Sequence, residues 1–399
     1  MTTLDVLVGT VRVGSLEQFE DERYIFSFAP DWLADPDRPV LGQYFEDQRP
    51  RDIEFWGPPC WFAHLLPQGP VRRMIARAAG VDQGEVFELL HLYGEDLPGA
   101  VILRPGQSRW PHARAKVFSA PPAGLLVAGA LAGAQWKLSL REDERGLVIP
   151  VGGRSGSWIA KFHDPTLREL PRVEFATALW ARASGVAVPD VRLGRVEEVV
   201  DIPPGIPTGD GTVYLIKRFD RGPDGQRIHM EDFGQVLDRP PGRGQFDGSV
   251  EMIAAVIAAV APCDLREFCE RVVFCGLAGN GDAHLKNWSL LYLDGRTPRL
   301  APAYDLVATI LYKNIDDWMA LSIGGSTRFE DLRVDSFARL AEVSRLSFTE
   351  VATWVRVAAA QVRDAWAENN NAWPFTASER SQIESHLRRV PLVSARGAR

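Results

Sequence analysis

The feature that most restricts the fold of this chain is a helix, a polar loop and a hairpin that follow one another within residues 264–306. Apolar side chains recur at helical spacing over 264–279, and Gly279 and Gly281 then end the predicted helix. The loop GNGDAHLKNW leads into the run SLLYL, the turn DGRTP and the run RLAPAYDL, which together predict a β-hairpin. Because a hairpin returns the chain to its starting point, we expect Asp305, at its far end, to lie beside the loop.

Two carboxylates and an amide would then meet in one place. Phosphoryl transfer needs a carboxylate for the proton of an attacking hydroxyl and oxygen ligands for the Mg²⁺ on the nucleotide phosphates. The order D-x-x-x-x-N, hairpin, Asp matches the catalytic loop and metal-binding aspartate of protein kinases. It predicts Asp282 as the base and Asn287 and Asp305 as Mg²⁺ ligands, with Lys286 or His284 steadying the phosphates or the loop. The alternative is that these residues only close turns and cap a helix.

A kinase also needs a cation for the nucleotide phosphates. In the strand-like stretch SGSWIAKFHDP, alternation predicts that Lys161 points into an interface, and Glu174 on the following helix is its candidate partner. Two glycine-rich turns compete for the position over the phosphates, AGAQWK (132–137) and VGGRSG (151–156). Neither continues into a Walker A lysine.

Composition and charge narrow the class of protein. A chain of 399 residues exceeds one average domain, and 46% hydrophobic with 24% charged residues is typical of a globular protein. The formal charge of −7 argues against a chain that coats nucleic acid by itself. The N-terminus lacks the pattern of a signal peptide, and no apolar run is long enough to cross a bilayer. We therefore expect a cytoplasmic protein with no membrane contact.

The cysteine pattern indicates a protein that works in a reducing compartment. Cys60, Cys263, Cys269 and Cys275 show neither a CxxC pair nor zinc-ligand spacing. The last three fall in one predicted helical region, and we expect them to be small core residues.

The chain divides into a mixed α/β first half and a helical second half that contains the hairpin. A Pro- and Arg-rich connector at 104–124 predicts the first boundary, which gives three parts: 1–115, 116–218 and 219–399. Strands are predicted over 4–28 and at 136–140, 146–150, 156–162, 189–199 and 212–219. Helices are predicted within 60–93, at 172–185, 229–238, 249–261 and 264–279, and between 329 and 390.

Further motifs extend over nearly the whole chain. They are WFAHLLPQG (61–69), GEDLPGAV (94–101), LAGAQWKLSL (131–140), WIAKFHDP (158–165), RVEFATALWARASGVAVPD (172–190), YLIKRFDR (214–221) and HMEDF (229–233). Together with GNGDAHLKNWSLL and LAPAYDL, they resemble the motifs of the HipA-type serine/threonine kinases, which are toxins of bacterial type II toxin–antitoxin modules.

The resemblance implies an α+β fold with two lobes, similar to the phosphatidylinositol-kinase-like branch of the protein kinase fold. The N-terminal lobe would be mixed α/β and the C-terminal lobe mainly helical. The implied cofactors are ATP and Mg²⁺, with Lys161 on the ATP phosphates. Other residues that would border ATP are Gly133, Ala134, Gln135, Lys137, Lys217 and Phe219.

The resemblance also implies partners. Studied members phosphorylate a protein, an aminoacyl-tRNA synthetase, and so arrest translation. A helix-turn-helix antitoxin of the HipB type restrains them, and DNA is contacted only through it. Two other hypotheses about function stay open. One is a catalytically weak or inactive kinase-fold module that acts by binding an antitoxin or repressor, and the other is a small-molecule kinase.

Three features depart from the family pattern. Ala130 and Ala132 stand where family members commonly carry an autophosphorylated serine, which weakens the expectation of silencing by that route. Lys217 replaces a common glutamate, and Trp136 fills the variable position of the phosphate loop. None of these changes affects the predicted base or metal ligands, so we expect an active kinase.

Overall fold

The computed structural model describes residues 2–48, 51–106, 135–144, 146–150, 156–313, 315 and 317–392. Helices and strands both contribute, and the fold is mixed α/β. Three groups of elements follow one another: the N-terminal unit (2–106), the central unit (135–217) and the C-terminal unit (218–392). In the described part of the chain, no helix combines the length and apolar character that crossing a membrane requires.

The N-terminal unit is an antiparallel sheet with short helices. Its elements are β1 (Thr2–Val8), β2 (Val11–Gln18), β3 (Arg23–Phe28), α1 (Pro30–Ala34), α2 (Gln43–Gln48), β4 (Asp52–Trp56), α3 (Cys60–Ala63), α4 (Gly69–Ala79), α5 (Val86–Tyr93) and β5 (Val101–Pro105). The strand order is β4-β3-β2-β1-β5. The rings of Phe45 and Phe62 lie 5.3 and 5.4 Å from that of Phe26 on β3. This aromatic core fixes α3, which His64 directly follows.

The central unit is a six-stranded sheet with one helix beside it. Its elements are β6 (Lys137–Asp143), β7 (Gly146–Val148), β8 (Trp158–Lys161), α6 (Leu170–Ala183), β9 (Val191–Arg195), β10 (Val199–Val200) and β11 (Thr212–Lys217). The strand order β10-β7-β6-β8-β11-β9 places β8 inside the sheet. Helix α6 also enters the core of the C-terminal unit, because the ring of Trp180 lies 4.6 Å from that of Trp366 and 5.5 Å from that of Phe274.

The C-terminal unit is mainly helical and carries two small sheets. Its elements are β12 (His229–Asp232), α7 (Phe233–Val236), α8 (Val250–Val260), α9 (Leu265–Ala278), β13 (Ser289–Tyr292), β14 (Pro298–Leu300), β15 (Trp318–Ile323), β16 (Ser326–Arg328), α10 (Ala338–Val343), α11 (Phe348–Asn369) and α12 (Ala377–Arg389). One sheet has the order β12-β13-β14, and the other pairs β15 with β16. The side chains of Ser249, Ser347 and Thr376 cap α8, α11 and α12 by accepting a backbone N–H three residues on.

Several predictions of secondary structure differ from what is observed. The helix predicted at 229–238 is wrong in its first half, because 229–232 pairs with β13 as strand β12 before α7 begins. The β15–β16 hairpin was not predicted. Cys269 and Cys275 are buried as expected, whereas Cys263 is exposed at a turn between helices, so its prediction as a core residue is wrong. Most of the connector, residues 132–134 of the first glycine-rich turn and residues 151–155 of the second lie outside the described residues.

Candidate active site

One cleft brings the predicted residues together. It has a volume of about 380 Å³ and lies where the three units meet. The predicted residues that line it are Gln135, Lys137, Lys161, Lys217, Phe219, Asp282, His284, Lys286, Asn287 and Asp305. Gly133 and Ala134, which were also predicted, lie outside the described residues.

Lys161 and Glu174 form a buried ion pair inside the cleft. Lys161 ends β8, Glu174 lies on α6, and their side chains are 3% and 1% exposed. Lys161 Nζ donates to Glu174 Oε2 at 2.6 Å, and Gln135 Nε2 donates to the other oxygen at 2.6 Å. Burial raises the pKa of Glu174, although Lys161 opposes that shift. Because burying charges is costly, such a pair is stable only with several partners in good geometry.

Asp305 is the second partner of Lys161. Its Oδ1 lies 2.6 Å from Lys161 Nζ. Burial would raise the pKa of Asp305, but the charges of Lys161 and Lys137 outweigh it, so the pKa lies well below its ordinary value. The residue has a φ of 54°, a left-handed conformation that aspartate tolerates better than most residues. Asp305 is therefore an ionised carboxylate that lines the cleft.

Lys137 adds a second positive charge. It begins β6 and stands directly opposite Lys161 in the antiparallel register. Burial lowers the pKa of Lys137 to about 8; Asp305 opposes this shift and Lys161 adds to it. Like charges directly opposite on neighbouring strands are destabilising. In the cleft the carboxylates of Glu174 and Asp305 balance the two ammonium groups.

The polar loop after α9 forms as its glycines predict. Gly279 has a φ of 68°, and a Cβ there would lie 2.6 Å from Ile310 Cγ2, so only glycine fits. In the following turn the backbone N–H of Asp282 donates to Asn280 Oδ1 at 3.1 Å. Asn287 Nδ2 donates to the carbonyl oxygen of Asp282 at 2.6 Å. The two ends of the D-x-x-x-x-N pattern are thus bonded to each other.

The carboxylate of Asp282 lies at the mouth of the cleft, with 51% of the side chain exposed. Desolvation by the cleft walls raises its pKa to about 7; Asp305 and Glu174 add to the shift and Lys161 opposes it. Water at the exposed half screens these charges in part. A carboxyl group whose pKa lies near neutral pH is suited to proton transfer.

His284 lies beside Asp282, with its Nε2 3.8 Å from Asp282 Oδ1. Burial and the charge of Lys286 lower its pKa to about 4, so the imidazole is neutral at pH 7. The ring of Phe246 meets it edge-on at 5.0 Å. His284 therefore contributes packing and a neutral ring to the loop rather than a charge.

Lys286 uses its ammonium group inside the protein. Its Nζ lies 2.7 Å from Asp232 Oδ2, 2.9 Å from His64 Nδ1 and 3.2 Å from the carbonyl oxygen of His64. An ammonium has three donors, so each has an acceptor. Between the two predicted roles of Lys286, this arrangement favours steadying the loop over contact with phosphates.

Two of the residues predicted to border ATP, Lys217 and Phe219, lie at the end of β11 and just after it. The backbone N–H of Lys217 donates to the carbonyl oxygen of Asp190 at 2.8 Å, and the Lys217 side chain is exposed. The ring of Phe219 lies 5.7 Å from that of Tyr304. These rings form an apolar wall of the cleft, and aromatic rings offer planar bases a stacking surface.

Sequence reasoning missed part of the cleft lining. The unpredicted residues include His64, Leu65, Gln68, Pro98, Arg218, Asp220, Asp232, Gln245, Phe246 and Tyr304. The first four belong to the N-terminal unit. In the sequence, His64 stands out only as a lone polar residue in the apolar stretch WFAHLL. This pattern does not indicate which residue His64 contacts.

Family models and related proteins match most of the chain. Residues 4–104 match the family model of the HipA N-terminal domain, and residues 129–368 match that of the HipA-like C-terminal domain. Y4dM from Sinorhizobium fredii, named as a candidate kinase, is 36% identical over 403 residues, with 98% of each chain covered. Y4mE from the same organism, named likewise, is 29% identical over 363 residues, with 82% of each chain covered.

The fold also matches a solved structure. A chain in the complex of HipA, HipB and operator DNA from Shewanella oneidensis superposes with a TM-score of 0.72 at 20% identity. The match covers 97% of this chain and 95% of that one. With both domain models matched, the chain belongs to the HipA family of kinases.

Proposed function

We propose that this chain is an ATP- and Mg²⁺-dependent serine/threonine protein kinase of the HipA toxin type, with a two-lobed protein-kinase-like fold. The observation that carries the proposal is the Lys161 ammonium between Glu174 and Asp305, 2.6 Å from an oxygen of each. In protein kinases a strand lysine pairs with a helix glutamate, and a metal-binding aspartate completes the site. Membership in the HipA family supports the same activity.

In this proposal Asp282 accepts the proton of the acceptor hydroxyl. Its exposed half at the cleft mouth is open to a protein side chain, and its pKa of about 7 makes proton uptake and release both accessible. Asn287 holds the backbone of Asp282. Lys161 and Lys137 would bind the phosphates of ATP from the sheet side.

Asn287 and Asp305 would hold Mg²⁺. They offer an amide oxygen and an ionised carboxylate, which are hard oxygen ligands of the kind Mg²⁺ prefers. Within the described ranges, no group of three or more His, Cys, Asp or Glu side chains is arranged to hold a metal unaided. Two protein ligands suit Mg²⁺, which usually keeps waters and binds substrate phosphates as well. When bound, the ion would neutralise charge on the phosphates.

The proposed target is a protein in the cytoplasm, by resemblance an aminoacyl-tRNA synthetase, whose phosphorylation would arrest translation and growth. The proposed partner is a helix-turn-helix antitoxin of the HipB type, with DNA reached only through it. The Shewanella oneidensis HipA structure, solved with HipB and operator DNA, supports such a partner. Ala130 and Ala132 lie outside the described residues, and silencing by autophosphorylation there forms no part of this proposal.

The test is a reaction of the purified chain with γ-labelled ATP, Mg²⁺ and a host lysate. The unaltered chain should label a protein band, whereas Asp282→Asn should lose transfer and keep its ATP affinity. Asp364→Asn, an exposed acid on α11, is the matched control and should behave like the parent. Labelling by Asp282→Asn at the parental rate would show that Asp282 is not the base.

A further inference from the structure

The N-terminal unit contributes directly to the polar loop of the cleft. The side chain of His64 is fully buried. Its Nδ1 and its carbonyl oxygen both accept from Lys286 Nζ, at 2.9 and 3.2 Å. Two of the three acceptors of this ammonium therefore belong to one residue of the N-terminal unit. Lys286 lies in the loop between Asp282 and Asn287.

The tautomer of His64 follows from its neighbours. Its Nε2 lies 2.6 Å from the carbonyl oxygen of Arg239, which can only accept, so Nε2 carries the proton. Nδ1 is then an acceptor for Lys286. Burial lowers the pKa of His64 to about 4, and the charge of Lys286 acts in the same direction. A neutral imidazole thus bridges the loop and the carbonyl group of Arg239.

Gly234 leaves the space that this imidazole needs. A Cβ at Gly234 would lie 2.7 Å from His64 Cε1 and 2.9 Å from its Nε2, closer than packed side chains allow. Gly234 is the second residue of the short helix α7 and does not have a positive φ, so the backbone alone does not require glycine there. The space needed by the ring of His64 is a reason for glycine at this position.

We propose that His64 is a positioning residue for the loop that carries Asp282 and Asn287, so that the N-terminal unit completes the active site; this rests on the proposed kinase function. Lys286 is held at its side chain by His64 and at its carbonyl oxygen by the hydroxyl of Tyr304, which donates at 2.7 Å. When the His64 imidazole is removed, the ammonium keeps Asp232 and the backbone carbonyl oxygen of residue 64 but loses its Nδ1 acceptor and the packed ring, so the loop is held less firmly on the side of the N-terminal unit.

Other buried contacts keep the N-terminal unit attached without His64. Glu231 Oε2 accepts from Trp61 Nε1 at 3.1 Å. Arg221 donates to the carbonyl oxygen of Gly99 at 2.9 Å. Because these contacts lie on both sides of His64 in the chain, its replacement should alter the loop and leave the unit in place.

The test uses the full chain with γ-labelled ATP and Mg²⁺, and measures turnover and ATP affinity separately. His64→Ala should lower kcat at least about 10-fold, because small misplacements of catalytic groups are costly, and should leave the Kd for ATP within about 2-fold. His64→Asn should recover most of the rate, since its amide oxygen lies near the Nδ1 position and accepts from Lys286. Gly234→Ala should also lower kcat, although it removes no polar group.

His386→Ala is the matched control for the loss of a buried histidine. His386 bonds to the carbonyl oxygen of Gly276 at 2.9 Å and packs on Phe329, and neither residue lines the cleft. This variant should lose stability and keep the parental kcat.

If the parent is active and His64→Ala has the same kcat, the positioning role of His64 is overturned. Equal impairment of His64→Ala and His64→Asn overturns the part assigned to the bond with Lys286. Should His64→Ala fail to fold, an unchanged kcat in Gly234→Ala counts against the proposal, because the added methyl group meets both His64 and Asp232, the two side chains that accept from Lys286. A parent that turns over no ATP at all refutes the kinase function first, and the two failures are thereby distinguished.

Discussion

Removing the ammonium of Lys161 should destabilise the chain by an amount that depends on pH. Lys161→Met keeps an unbranched side chain and leaves Glu174 buried without its charged partner. Breaking a buried pair from one side costs about 3–5 kcal/mol. Asp305, whose side chain is 27% exposed, can be hydrated, so Glu174 at 1% exposed carries most of the cost.

The loss of stability in Lys161→Met has an upper limit, because Glu174 can take up a proton instead of remaining charged. From an ordinary pKa of 4.5, protonation costs about 5 kcal/mol at pH 8 and about 2 kcal/mol at pH 6. A carboxyl group whose pKa is raised in the folded state stabilises it at low pH, and this contribution is lost as the pH rises through the folded pKa. The penalty in Lys161→Met should therefore be about 3–5 kcal/mol at pH 8 and at most about 2 kcal/mol at pH 6.

Urea unfolding followed by tryptophan fluorescence measures this penalty at both pH values. Lys161→Met with Glu174→Leu removes both charges and should recover at least about half of the lost stability at pH 8, because a buried pair is replaceable by apolar side chains. ATP affinity should stay lost in the double variant. An equal loss of stability relative to the parent at pH 6 and pH 8, or a double variant no more stable than the single one, would refute the reasoning.

Two further predictions concern the loop and the metal ligands. If Asp282 is the base it must be unprotonated, and with a pKa of about 7 the kcat should rise between pH 5.5 and pH 8 with a midpoint near 7; a profile flat over that range contradicts the assignment. Asp305→Asn keeps a residue that tolerates the left-handed backbone and should abolish the Mg²⁺ dependence of ATP binding in titrations with and without Mg²⁺; an undiminished effect of Mg²⁺ excludes Asp305 as a ligand.

Local patterns in the sequence predicted the elements that carry the site. The glycines at the end of α9 and the hairpin that follows act over a few residues, so spacing alone predicts that Asp305 returns to the loop. The structure brings Asp305 to Lys161, and both line the cleft with Asp282 and Asn287. The left-handed backbone conformation of Asp305 could not be predicted, because no local sequence pattern requires it.

Pairings between distant residues could not be predicted in this way. The contact of Lys286 with His64 joins residues 222 positions apart, and a single sequence holds no mark of it. Strand β12 was missed for a related reason. Four residues are too few to establish a period, and their strand conformation depends on pairing with β13, which lies about 60 residues further on.

The pairing of Lys137 with Lys161 explains why this part of the sheet is suited to an anion. Two ammonium groups opposite each other on adjacent strands would push the strands apart unless negative charge lies close by. Glu174 and Asp305 supply that charge, and the pKa of Lys137 is nevertheless lowered to about 8. A polyphosphate in the cleft would add negative charge beside Lys137 and favour its protonated form. In the proposed function, the two ammonium groups that repel each other in the free protein would be stabilised further by the phosphates of a bound nucleotide, an arrangement expected of a binding site rather than of a structural core.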